Sequence, residues 1–92
     1  MLDPFEGGSL TIRVVAEDGT LLPGAILTIM NLASRLERVT ISGAEGVGRF
    51  RFIPPGGYAL RARLEGFSIA TQSNINVDAG QDTRITITLS PM

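Results

Sequence analysis

Apolar and polar residues alternate along most of this chain, and Gly, Pro, Asn and Asp interrupt the alternation about every dozen residues. No stretch sustains a helical period. Residues i and i+2 share one face of a strand, so each alternating run reads as a strand with one buried face. The runs cover 9–17, 25–32, 36–42, 48–53, 57–65, 68–77 and 83–89, and Pro91 ends the last. Seven short strands at this spacing predict an all-β, antiparallel sandwich or barrel. In the first run Leu10, Ile12 and Val14 share a face. In the second, Ala25, Leu27 and Ile29 face the core, while Ile26, Met30 and Leu32 face outward.

The segment 49–67 carries the clearest pattern. Phe50 and Phe52 alternate with Arg49 and Arg51, a Pro54-Pro55-Gly56-Gly57 corner follows, and Tyr58 and Leu60 then alternate with Arg61 and Arg63. This predicts a β-hairpin with the aromatics inward and four guanidiniums together outside. Residues 78–82 predict a second hairpin loop. The expected core is Phe50, Phe52, Tyr58, Leu60, Ile85 and Ile87.

Ninety-two residues, 43% hydrophobic and 18% charged, suit one globular domain. The expected organisation is a flexible N-terminal segment at 1–8 and a domain at 9–92. The missing residue types exclude whole chemistries. There is no Cys for disulfides or thiolates and no His for general base work. All eight basic residues are Arg, so Schiff-base chemistry is excluded too. A net charge of −1 gives no field toward nucleic acid. The first residues do not form a signal peptide, and no apolar run is long enough to insert in a membrane.

Leu22-Pro23-Gly24-Ala25, Leu27-x-Ile29-x-Asn31, Thr40, Gly48-x-Phe50-x-Phe52, Pro54-Pro55-Gly56-x-Tyr58-x-Leu60 and Gly66-Phe67 occur in an order and spacing that resembles the carboxypeptidase regulatory-like domain. The resemblance runs from about residue 10 to residue 91. It implies a seven-stranded, transthyretin-like (prealbumin-like) Greek-key β-sandwich. It also implies a non-catalytic spacer or accessory domain of exported enzymes, surface proteins or outer-membrane receptors, and hence an exported location. One departure lies in the family's Thr-Asp-x-x-Gly turn: with Gly48 as its Gly, the Thr falls on Ala44 and the Asp on Glu45, or else the loop carries two extra residues. Related folds fail on composition. Transthyretin-like purine-pathway hydrolases rely on His, and the internal isopeptide bond of adhesin stalk domains requires Lys.

Two surfaces are candidate sites. Arg49, Arg51, Arg61 and Arg63 read as a docking face for an acidic partner or polysaccharide, because guanidinium forks grip carboxylate, sulfate or phosphate. The competing reading is a solvated face balanced by Glu37 or Glu65. Ile26, Met30 and Leu32 read as a docking patch. The alternative is burial beneath a loop or the N-terminal segment, through Phe5. Glu17-Asp18 and Asp78/Asp82 lie in turns without a calcium-loop spacing, so no metal is expected. The glycines of 43–48 lack the Lys and the helix of a phosphate loop. No cofactor is expected. The leading function is a structural or interaction module whose partners are neighbouring domains; the alternative is a carbohydrate- or polyanion-binding accessory domain.

Overall fold

A computed structural model describes residues 7–92. The seven strands are β1 (Gly8–Ala16), β2 (Ile26–Asn31), β3 (Glu37–Ile41), β4 (Val47–Ile53), β5 (Gly56–Arg63), β6 (Ala70–Val77) and β7 (Asp82–Leu89). They form two sheets. Sheet A has the order β4-β1-β7 and sheet B the order β3-β2-β5-β6. The fold is the expected all-β sandwich. Of the expected flexible segment 1–8, residues 1–6 and with them Phe5 lie outside the described residues, and Gly8 already belongs to β1.

The core is what the alternation requires. Leu10, Ile12 and Val14 of β1 meet Leu27, Ile29, Leu60 and Val77 from the other sheet, all essentially inaccessible. Each such side chain contributes about 1.5–3 kcal/mol before entropy is set against it. β3 places no fully buried side chain in the core.

Three expectations are corrected. The segment 49–65 is not a hairpin: β4 lies in sheet A and β5 in sheet B. A two-residue hairpin loop needs positive φ at its central residues. Pro54 and Pro55 fill those places, and a proline ring holds φ near −65°. The chain therefore turns across the sandwich, and the buried Tyr58 fastens the corner by donating its hydroxyl to the Pro54 carbonyl at 2.6 Å. The loop at 78–82 likewise carries the chain from sheet B to sheet A rather than closing a hairpin.

Phe52 is the second correction, because it is 79% exposed. Leu10 pairs with Phe50 and Gly8 with Ile53, so β4 holds one residue more than β1 over that interval. This β-bulge turns the backbone at Phe52 to φ 56° and shifts the parity. Ile53 takes the inward place that strict alternation gives to Phe52. Of the other expected core residues, Phe50, Tyr58, Leu60 and Ile87 are buried, and Ile85 is partly buried against the core.

The third correction is direction. β1 and β7 pair in parallel, in register from Ser9↔Asp82 to Ala16↔Leu89. The other ladders are antiparallel. A parallel first and last strand puts the two ends of the domain at opposite poles. At the lower pole Ser9 donates its amide to Gln81, and Gly80 donates to Gly7. At the upper pole Ser68 donates to Ser90, and Phe67 bridges Pro91. The molecule measures 48 × 23 × 16 Å.

Candidate functional site

The outer face of sheet A carries the densest polar constellation. Thr11, on the central strand, is flanked by Arg49 on β4 and Arg84 on β7. Neighbouring strands lie about 4.8 Å apart, so these two arginines start about 10 Å from each other across the Thr11 hydroxyl. Arg13 projects from the same face one pleat further along β1. Arg51 lies toward the lower pole, where it lines a shallow cleft with Ser9, Thr11, Arg49, Asp82 and Arg84. Glu45 stands at the rim beside Arg13 and Val47.

Asp82 organises the centre of this face. Its Oδ1 accepts the Ser9 hydroxyl at 2.7 Å and the Thr11 hydroxyl at 3.0 Å, and its Oδ2 accepts Arg84 Nε at 2.9 Å. The hydrogen bonds from Arg84 and Ser9 hold the Asp82 carboxyl below its ordinary value of 3.8. Among the described residues this is the one Arg–carboxylate pair within 4 Å. Arg13, Arg49 and Arg51 point outward without such a partner among those residues. Unpaired guanidinium forks side by side suit a carboxylate, sulfate or phosphate group.

The expected four-arginine face is thus divided. Arg49 and Arg51 lie on sheet A. Arg61 and Arg63 lie on the outer face of sheet B, opposite Thr28 and Ile26 of β2, and the sandwich core separates the pairs. The companions of Arg49 and Arg51 are Arg13 and Arg84. Their outward parity was legible in the sequence, but the pairing of the first strand with the last was not. The turn acid Asp18 accepts the Thr20 amide and hydroxyl at 3.0 and 2.7 Å, which holds its carboxyl low.

The second surface lies on sheet B. Ile26 is 41% and Leu32 39% exposed, while Met30 is half-buried. Val39 and Ile41 of β3, each 61% exposed, extend this row, because Ile26 pairs with Ile41 and Thr28 with Val39. β3 is an edge strand of its sheet.

Residues 9–90 match the family model of the carboxypeptidase regulatory-like domain. No curated protein matches the chain. Among solved structures, the TIE protein of Bacillus anthracis is similar at 19% identity and TM-score 0.80, over 95% of this chain and 17% of that one. The minor pilin GBS52 of Streptococcus agalactiae is similar at 15% identity and TM-score 0.79, over 96% of this chain and 46% of that one. Catechol 1,2-dioxygenase of Pseudomonas arvilla is similar at 16% identity and TM-score 0.75, over 98% of this chain and 54% of that one. The chain therefore spans less than two thirds of each of these three structures. At these identities the likeness is one of fold, and the fold accommodates both a pilin and an enzyme.

Proposed function

The chain belongs to the carboxypeptidase regulatory-like domain family, and from that membership we propose that it is a non-catalytic spacer module set in line between neighbouring domains of a larger, exported surface protein. The observation that carries this reading is the parallel β1–β7 ladder, which sends the chain in at one pole of a 48 Å molecule and out at the other. A module with adjacent ends would be a side branch; one with opposite ends adds length. The apolar row of Ile26, Met30, Leu32, Val39 and Ile41 gives a neighbouring domain a surface to dock on. The likeness to a pilin and the absence of His, Cys and Lys agree with a structural role. The test is to fuse one folded reporter domain to each end and measure their separation by small-angle scattering. The expected result is a gap close to the 48 Å long axis. Reporters lying side by side would overturn the reading.

A second reading is favoured by the sheet A face. Arg49, Arg51 and Arg84 lie beside the Ser9 and Thr11 hydroxyls, Arg13 lies beside Thr11, and the exposed Phe52 ring stands next to Arg51. Guanidiniums for an acid group, hydroxyls for polar contacts and one ring for stacking form the equipment for an acidic polysaccharide. On a heparin column, Arg49→Ser with Arg84→Ser should elute at much lower salt than the parent. Arg61→Ser with Arg63→Ser should elute at nearly the parent position, since those residues sit on the opposite face. Equal shifts for both pairs would reduce binding to overall charge.

A further inference from the structure

We propose that the β1–β7 ladder is a mechanical clamp, so that the domain resists tension along the chain as well as spacing its neighbours. This goes beyond the spacer reading and rests on it in one respect: only a module set in line feels that tension.

The geometry is a matter of direction. Pulling the two ends apart draws β1 toward the lower pole and β7 toward the upper pole, each along its own axis. The two strands run parallel over eight paired positions, Ser9↔Asp82 to Ala16↔Leu89. Tension therefore acts along the ladder and loads every rung at once. In an antiparallel hairpin pulled at its open ends, the rungs break one after another, each under the full force. β7 is an edge strand whose ladder in sheet A is with β1 alone, whereas β1 is held by β4 as well. The ladder that must yield before the sheets can come apart is thus β1–β7. The short ties beyond it, Ser68 to Ser90 and Gly66 to Met92, peel away before it is loaded.

Two further features stiffen the clamp. Asp82 accepts hydroxyls from both Ser9 and Thr11, which bridges β7 to the end of β1 where force arrives. Sliding by one residue would also turn Leu10, Ile12 and Val14 from the core to solvent, so no partly slipped register is a comfortable stop. The chain has neither Cys for a disulfide nor Lys for an internal isopeptide bond. Resistance therefore rests on this non-covalent ladder.

The absence of Cys also supplies the test, since single attachment points can be introduced. In single-molecule force spectroscopy the domain is pulled once between its two termini. A Glu17→Cys variant is then pulled between residue 17 and the C-terminus, which peels β1 from β7 starting at the upper pole. The expected result is an end-to-end unfolding force at least about twofold above the peeling force at equal loading rate. Equal forces would overturn the clamp, and the scattering measurement of reporter separation would stand unaffected. Thr11→Val keeps a β-branched side chain but removes one hydroxyl of the Asp82 bridge. It should lower the end-to-end force and leave the peeling force unchanged. An unchanged end-to-end force would remove the bridge from the clamp.

Discussion

Phe50 and Phe52 stand two residues apart in a perfectly alternating run, yet they should respond very unequally to truncation. Phe50 is 5% exposed in the core, so Phe50→Ala leaves a cavity as well as losing transfer free energy, at a cost of about 3–5 kcal/mol. Phe52 is 79% exposed, which leaves about a fifth of its surface covered. A fully enclosed aromatic side chain buries about 150–250 Å². A fifth of that is about 40 Å², or about 1 kcal/mol at 25 cal/mol per Å². Phe52 also sits at φ 56°, an uncomfortable conformation for a bulky residue. Phe52→Asn should therefore be neutral or stabilising, because Asn tolerates that region. Urea and thermal unfolding followed by far-ultraviolet circular dichroism measure all three variants. At about 5 °C per kcal/mol for a domain of this size, Phe50→Ala should lower Tm by roughly 15–25 °C. Phe52→Ala should lower it by no more than about 5 °C. Equal losses would mean that β4 runs without a bulge and that both rings are buried.

Other outcomes follow from single contacts. Tyr58→Phe removes the hydroxyl that fastens the corner to the Pro54 carbonyl and should cost about 1 kcal/mol in urea unfolding. Gly48→Ala would place a methyl 2.5 Å from Leu27 Cδ1 and 3.2 Å from Thr40 Cγ2, so it should destabilise by about 1–3 kcal/mol through overpacking. The Asp82 carboxyl is depressed in the folded state by its Arg84 and Ser9 partners. Its contribution to stability is therefore present above the unfolded-state value near 3.8 and is lost as pH falls through the lower folded value. Urea midpoints measured at about pH 5 and again well below 3.8 should fall further in the parent than in Asp82→Asn.

The strands were legible because burial of one sheet face imposes a period of two, and all seven lie within about two residues of their alternating runs. Inward parity also held through most of β1, β2, β5 and β7. What alternation cannot report is which strand lies beside which. Residues 49–63 look like a hairpin because their two halves match in pattern, but the fixed φ of Pro54 and Pro55 sends those halves to opposite sheets. The bulge at Phe52 is hidden for a similar reason. One extra residue has meaning only against the partner strand, and β1 is some forty residues away in sequence. The sheet A face was missed on the same ground. Arg13 joins Arg49 because β1 pairs with β4, and Arg84 joins them because β1 pairs with β7 in parallel; nothing local to these residues marks either pairing. The outward placement of Ile26 and Met30 was legible because it depends on parity within one strand, β2, and Leu32 follows in the turn just beyond it.

The β1–β7 ladder also sets the order in which the domain can be made. Ser9 must wait for Asp82, 73 residues later, before its side of sheet A exists. While the chain leaves the ribosome, β1 can pair with β4, but the edge reserved for β7 stays open until the final strand emerges. The entropy of closing so long a loop must be met before its contacts repay it, which makes this topology slow to fold. A nascent chain halted short of residue 82 should hold its first strand half-paired and be open to capture by other strands or by chaperones. Completion of the fold is thereby tied to the emergence of the domain's own last strand, β7.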